Sequence, residues 1–356
     1  MAWQTGTSTD HQDLLADLRT FLLANGYTSD RYDLAVNDAE NDEMIVHSTS
    51  EDFYIGIRTF FNSSANAYNW ELAGFTGYAA GNTWENQPGI SPGRYDGLTT
   101  ALKYGAYVPA SSGTITYWFS ATGRRVYGVL KIGTSYLSFY LGFLNPFAAA
   151  SEYPYPLYIA GCTAQFDRLP NSGNIGLSGL ADPITMLSNS NNGPAFVRSP
   201  AGLWLPVRNS FETTVNGRTL ISGRGVWPCN SPIINTTTVP DDADRLWIES
   251  VATRDWTQVI PNSGNPGTEV AKLYKSDDSG GDLVKRFPLT IWGFNANPES
   301  QIYGELDGVF WVSAAPGQVD GAVTSEDTLT DGASTFHVFA QGNRSSDFNL
   351  QAIEEV

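Results

Sequence analysis

The order of hydrophobic and polar residues predicts one helix near the start of the chain, followed by a long succession of strands. Two early segments, Asp52–Phe61 (DFYIGIRTFF) and Tyr68–Tyr78 (YNWELAGFTGY), are rich in β-branched and aromatic residues and predict a hairpin. Gly56 lies inside the first segment and predicts a bulge there. Three later stretches predict a meander with turns at Thr122-Gly123 and Gly133-Thr134: Thr114–Ser120, Val126–Ile132 and Ser135–Leu144.

The second half of the chain has fewer apolar runs. Leu203–Val207 and Gly225–Trp227 predict short strands or loop anchors. Gly308–Ser313 and Thr335–Ala340 resemble a strand pair across an acidic loop. Three other segments are also strand-like: Arg245–Val251, Val270–Tyr274 and Leu289–Phe294.

The predicted helix follows Thr9-Asp10-His11-Gln12, which indicates a capping box with Thr9 at the N-cap and Gln12 at N3. Asn25-Gly26 predicts the C-terminal stop. The apolar stripe consists of Leu14, Leu15, Leu18, Phe21 and Leu22. This stripe can pack on the sheet of its own chain or, as the less favoured alternative, dock on a neighbouring subunit. The second case makes interface residues of Leu14, Leu18, Phe21 and Leu22.

An aromatic, nearly uncharged segment, Tyr136–Gly161, is interrupted by three prolines. Pro154 and Pro156 lack an N–H and cannot lie in a central strand or a helix interior, so an apolar strand should lead into an extended stretch. Such a stretch stays ordered only where other surfaces cover its rings. We therefore expect core or interface anchors at Phe143, Phe147, Tyr153, Tyr155 and Tyr158.

The composition favours a β-rich protein buried in an assembly. Charged residues make up 16% of the 356 residues, below the roughly 25% of average globular proteins, and 35 Gly with 19 Pro suit short strands joined by turns. We predict four parts: an N-terminal helix and arm at 1–39, a β domain at 40–165, a loop-rich connector at 166–240 and a C-terminal β domain at 241–356.

The formal net charge of −17 argues against nucleic acid or an anionic membrane as a partner, because phosphates require a Lys/Arg surface. We expect neither a signal peptide nor a membrane span, since no apolar h-region and no long uncharged apolar run are present. Cys162 and Cys229 do not form a disulfide framework. They can be two buried thiols or, as the alternative, one bridge.

Five segments carry a resemblance to known proteins: IGIRTF at Ile55–Phe60, YNWELAGFTGY at Tyr68–Tyr78, WENQPGISPG at Trp84–Gly93, SEYPYPLYIAG at Ser151–Gly161 and GELDGVFWVS at Gly304–Ser313. As a set they resemble virion structural proteins of tailed bacteriophages, from the tail and baseplate region. The resemblance covers most of the chain and implies a virion component. It supplies no catalytic residue.

Nucleophilic catalysis requires a Ser or Cys beside a base, and the chain has three histidines. We expect His11 to face water, His47 to lie in a strand, and His337 to face solvent or a subunit contact. None has a catalytic motif around it, so we predict no enzyme and no catalytic residues.

The best candidate ligand site is the Glu305/Asp307 pair with Trp311 as a sugar platform. The favoured alternative is a turn and strand start at a subunit contact. The acidic clusters Asp241–Asp244 and Asp277–Asp282 do not match an EF-hand loop and are typical of solvated turns. We therefore predict no metal and no cofactor.

Together these patterns predict a mainly β protein with two β-sandwich- or barrel-like parts, one N-terminal α-helix and long ordered loops. The expected function is that of a structural subunit of a phage tail, at the baseplate or tail tip. The expected partners are copies of itself in a symmetric ring, other tail or baseplate proteins, and tail fibres. The chain would be synthesised in the host cytoplasm and reside in the virion. The alternatives are a carbohydrate-binding receptor module and, less favoured, a glycan depolymerase.

Overall fold

A computed structural model describes residues 2–34, 42–62, 67–93, 104–161, 163–165, 195–206, 212–215, 218–221, 224–227, 286–293, 301–312, 324–340 and 350–355. Within these ranges there is one α-helix, α1 (His11–Ala24), and a short 3₁₀ turn at Trp84–Asn86. The strands are β1 Ala2–Ser8, β2 Tyr27–Asp33, β3 Glu43–Ser48, β4 Tyr54–Asn62, β5 Ala67–Phe75, β6 Tyr104–Ala110, β7 Ile115–Ala121, β8 Arg125–Ile132, β9 Ser135–Phe143, β10 Leu157–Ala160, β11 Thr163–Gln165, β12 Ala195–Arg198, β13 Trp204–Pro206, β14 Glu212–Val215, β15 Arg218–Ile221, β16 Arg224–Trp227, β17 Arg286–Gly293, β18 Gln301–Val312, β19 Thr328–Asp331, β20 Ser334–Ala340 and β21 Leu350–Glu355.

The strands form three large antiparallel sheets and one small one. Sheet A has the order β1-β7-β8-β9-β10-β12-β13, sheet B the order β11-β6-β5-β4-β3-β2, and sheet C the order β16-β17-β18-β21-β20-β19, while β14 and β15 pair as sheet D. The predicted mainly β fold with one N-terminal helix is confirmed. None of the sheets traced in the described ranges closes into a barrel.

Sheet A lies between sheets B and C, and its side chains alternate between two buried faces. In β8, Val126 and Leu130 point towards sheet B, whereas Tyr127 and Val129 point towards sheet C. A strand buried on both faces needs apolar residues at nearly every position, which accounts for the uncharged run of β9. We name the packed layer between sheets A and B the A–B core, and that between sheets A and C the A–C interface.

Helix α1 closes one side of the A–B core. All five residues of the predicted stripe are buried in that core, so the stripe packs on its own chain. The N-cap is Asp10 rather than Thr9, because the Asp10 carboxylate accepts hydrogen bonds from the N–H groups of Gln12 and Asp13, both at 2.9 Å. Thr9 instead donates to the Asp13 carboxylate. The predicted stop at Asn25-Gly26 is confirmed.

The loop at 76–93 covers part of the outer face of sheet B. The Trp84 indole lies against Gly56, where a Cβ would approach the ring to 2.8 Å. No register shift occurs between β4 and β5, so the predicted bulge at Gly56 is wrong: the glycine makes room for an indole. The buried amide of Gln87 holds the loop by accepting from Ala79 N–H at 2.9 Å and donating to neighbouring carbonyls.

A row of charges crosses the same face of sheet B. Glu43, Arg58 and Glu71 lie opposite one another on β3, β4 and β5. The Arg58 guanidinium contacts Glu71 at 2.8 Å and Glu85 of the loop at 2.6 Å. The loop is therefore tied to the sheet by an ion-pair network as well as by the Trp84 ring.

Some strands pair with strands from another of the four predicted parts of the chain. The bounds of those parts stay a prediction. β1 joins sheet A although it comes from the predicted arm, and β12 and β13 extend that sheet from the predicted connector. The expected direct pairing of Gly308–Ser313 with Thr335–Ala340 is wrong, because β21 lies between β18 and β20 and pairs with both. Outside the described residues lie Arg245–Val251, Val270–Tyr274, both acidic clusters and both cysteines.

Candidate functional site

The Glu305/Asp307 pair lies in an interrupted part of β18. Thr290 of β17 pairs with Glu305 and Pro288 pairs with Phe310, so the residues between these two positions of β18 bulge out of the ladder. The backbone of Asn145 forms a two-way bridge with Glu305, with N···O distances of 2.8 and 3.0 Å. The bulge therefore faces sheet A.

Asp307 projects from this bulge onto a buried arginine. Its Oδ2 lies 3.6 Å from Nε of Arg125, a side chain that is 1% exposed. The Arg125 Nη1 donates to Ser120 Oγ at 2.9 Å, and Asn145 Nδ2 donates to the other Asp307 oxygen at 3.1 Å. A carboxylate held in this way by its own chain anchors sheet C to sheet A.

Gly308 makes the contact possible. Its φ of +63° lies in the left-handed region, and a Cβ there would be 2.2 Å from the Arg125 Nη2. The guanidinium thus packs directly on the glycine backbone. The sequence analysis identified the turn at Thr122-Gly123 but not the burial of Arg125 close to it, because Asp307 and Gly308 lie far away in the chain.

Of the three candidate ligand residues, the structure describes the side chains of Glu305 and Asp307. Glu305 is half-buried and forms hydrogen bonds with Asn145 through its backbone, whereas the Asp307 carboxylate lies against the Arg125 guanidinium. Trp311 lies farther along β18, opposite Phe287 and Gln351, and its side chain lies outside the described part. The Glu305 backbone and the Asp307 carboxylate thus both take part in contacts between β18 and sheet A.

Three of the anchors predicted in Tyr136–Gly161 are covered by their own chain. Tyr153 is buried, donates a hydrogen bond to the Arg198 carbonyl and lies edge-on to Tyr303 with centroids 6.4 Å apart. The buried Tyr158 packs edge-on against Tyr140 in the A–C interface. Phe143 belongs to the A–B core. These three candidates, like the four of helix α1, keep almost no exposed area for a neighbouring chain.

Tyr155 and Phe147 are the interface candidates that retain exposed surface. Tyr155 is half-buried, with its hydroxyl 3.4 Å from Asp52 and the Arg198 guanidinium over its ring at 5.4 Å. Phe147 is 62% exposed.

Phe147 stands on a loop that is fixed at both ends. We define the Phe147 loop as Pro146–Ala150, a stretch in which four of five residues are exposed and none is charged. The Asn145 bridge to Glu305 holds one end, and the Tyr153 N–H donates to the Ala149 carbonyl at 2.9 Å at the other. The same Tyr153 side chain contacts the β12–β13 hairpin, which carries Leu203, 63% exposed. The exposed apolar side chains therefore stand on a rigid support.

The expectation that His11 faces water is wrong. The first turn of α1 lies over β5, so His11 is buried beside Tyr68, with ring centroids 4.9 Å apart. Burial lowers the pKa of His11, against the opposing influence of Asp10 and Asp42.

The other two histidines take part in contacts within the chain. His47 lies in β3, as expected, with Nδ1 2.7 Å from Asp30. His337 lies 3.0 Å from Glu355 and stacks on Trp3 at 4.1 Å. In the part of the chain that is described, no Ser or Cys side chain hydrogen-bonds to a histidine, so no nucleophile–base pair is formed there.

No protein-family model matches the chain, and no curated protein sequence matches it significantly. Among the described residues, no helix has the length and apolarity needed to cross a lipid bilayer, and no three His, Cys, Asp or Glu side chains form a group that could hold a metal ion.

Proposed function

We propose that this chain is a structural subunit of a bacteriophage tail, at the baseplate or tail tip, that acts by assembling with copies of itself and with neighbouring tail proteins. The observation that carries the proposal is the Phe147 loop, an uncharged, exposed loop on a rigid support. The sequence resemblance to tail and baseplate virion proteins gives the biological setting.

The position of Phe147 on this loop suits a contact with another protein. An exposed aromatic side chain on a preorganised loop loses little conformational entropy on binding, so more of its burial contributes to affinity. Asp307, which accepts a hydrogen bond from Asn145 beside the loop, lies against the Arg125 guanidinium. This favours assembly over bond chemistry.

Cryo-electron microscopy of purified particles is the direct test. The proposal expects density for this chain in a tail or baseplate ring, with Phe147 buried against another polypeptide. Absence of the chain from particles would reject the proposal and make glycan-binding and hydrolysis assays the next step.

A matched pair of substitutions tests the loop itself. Phe147→Asp should reduce the yield of particles assembled in lysates to which the variant chain is supplied. A buried charge would then replace an interface contact that, at hot-spot size, is worth about 2 kcal/mol or about 30-fold in affinity. Leu34→Asp changes a 54% exposed side chain elsewhere and should assemble normally. Equal yields from both variants would rule out the Phe147 loop as an assembly contact.

A further inference from the structure

One edge of sheet A lacks the features that normally protect a strand from pairing with other chains. β1 pairs with β7 at seven consecutive positions without a register shift. Its sequence, AWQTGTS, contains no charge and no proline. In the described ranges no strand pairs with its other side, so alternate N–H and C=O groups point outwards.

The other edges of the three large sheets differ from β1 in length, charge or regularity. β2 carries Asp30, Arg31 and Asp33 and has a register shift after Ser29. β13 has three residues and ends at Pro206. β11, β16 and β19 have three or four residues each. Short strands, charges, bulges and proline all discourage edge pairing, and β1 has none of these.

The surroundings of β1 are acidic at both ends. Ser8 donates to the Asp17 carboxylate at 2.6 Å, and Asp17 also interacts with Tyr117, the hydrogen-bond partner of Gln4. At the other end of β1, Trp3 stacks on His337, whose Nε2 lies 3.0 Å from the Glu355 carboxylate. A second copy of this chain would bring carboxylates against carboxylates, with −17 on each chain. A segment carrying lysine or arginine would meet opposite charge.

We propose that the outer edge of β1 binds an extended segment of another protein that is uncharged in its middle and basic at its ends. The segment adds an eighth strand to sheet A through main-chain hydrogen bonds, and its end charges meet the carboxylates beside Ser8 and Trp3. This inference goes beyond the proposed function and does not depend on it, because it concerns a backbone edge remote in sequence from the Phe147 loop.

Hydrogen exchange of the purified full chain tests the proposal with two probe peptides, KTVTVTK and ETVTVTE. The basic peptide should slow exchange of the outward amides in 2–8 at least about tenfold, and less so at high salt. The acidic peptide should have no effect, and amides of β19 should exchange unchanged with either. Equal protection by both peptides, or by neither, would overturn the proposal. So would protection of 2–8 that rises with protein concentration alone, because the occupant would then be a second copy.

Two proline variants locate the contact on the edge. Successive residues of β1 direct their N–H groups alternately towards β7 and outwards, so one of Gln4→Pro and Thr5→Pro removes only an outward donor. The variant that retains the higher thermal midpoint identifies that position, and it should lose protection by KTVTVTK. Full protection in that variant would show that the peptide binds elsewhere, against the proposal. This experiment uses no particles, so its outcome is independent of the particle test.

Discussion

The two faces of sheet A are buried by different chemistry. The A–B core is filled largely by Leu, Ile, Val and Phe, with helix α1 closing it. The A–C interface contains five buried tyrosines: Tyr127, Tyr140, Tyr153, Tyr158 and Tyr303. Polar contacts also cross it, including Arg125 to Asp307 and Gln351 Nε2 to Ser138 Oγ at 2.5 Å. The first layer resembles the interior of one domain, and the second resembles an interface between two parts of a chain.

The difference indicates where specificity resides. Apolar packing in the A–B core supplies free energy without demanding particular partners. The polar contacts of the A–C interface cost desolvation unless each partner is correctly placed, so they fix how sheet C sits on sheet A. Four changes should break or sharpen this contrast, from the largest expected effect to the smallest.

Phe139→Ala should have the largest effect. Phe139 is fully buried in the A–B core, edge-on to Trp70 and directly over Gly128. Truncation should lower the free energy of unfolding by about 3–5 kcal/mol, measured by chemical denaturation. Phe147→Ala is the matched control and should change it by less than about 0.5 kcal/mol. Similar losses in both variants would contradict the assigned burial.

Arg125→Met should loosen the A–C interface. Removing the buried guanidinium takes one polar partner from each of Ser120 and Asp307 and should cost about 3 kcal/mol. Hydrogen exchange should rise in β17, β18 and β21 while β3–β5 stay protected. Arg124→Met, which removes a partly exposed pair with Glu51, should cost about 1 kcal/mol or less. An equal rise of hydrogen exchange in sheets B and C of Arg125→Met would show that the layers unfold as one unit. That result would contradict the difference between the A–B core and the A–C interface.

Alkaline pH should act through the buried tyrosines. Burial raises the pKa of Tyr140 and Tyr158 well above the usual 10.0, with smaller contributions from neighbouring groups. As pH rises through 10, the unfolded chain releases these protons and the folded chain does not, so stability falls. Absorbance at 295 nm should therefore show late, cooperative tyrosine ionisation together with unfolding. Early, non-cooperative ionisation of all 17 tyrosines would contradict the raised pKa of the buried ones.

Glu85→Gln should have the smallest effect, confined to the loop at 76–93. Burial raises the Glu85 pKa, but hydrogen bonds from Arg58 and the backbone together hold it below the usual 4.5. The contribution of Glu85 is therefore present above pH 4.5 and lost as pH falls through the lower folded value. Exchange of the loop amides should increase on acidification in the wild type and change less in Glu85→Gln. An identical acid response in both proteins would assign the effect to other groups.

Local patterns in the sequence determined much of the fold. The i, i+4, i+7 spacing of Leu14, Leu18 and Phe21 was sufficient for helix α1, and short-period apolar runs with glycine turns were sufficient for the β7–β9 meander. These elements follow from contacts between residues close in the chain. Such contacts leave a direct signature in residue order.

The tertiary structure decided which strands meet and what their polar residues do. The sequence interpretation did not include β1 and β21 as strands, although β1 forms an edge of sheet A and β21 lies inside sheet C. It predicted that His11 faces water and that Gly56 forms a bulge, and both predictions are wrong. It did not predict the burial of Arg125. Each of these outcomes depends on residues far away in the chain: β5 over His11, Trp84 on Gly56, and Asp307 beside Arg125. A two-residue period shows that a strand has two faces, but only packing in three dimensions determines what covers each face.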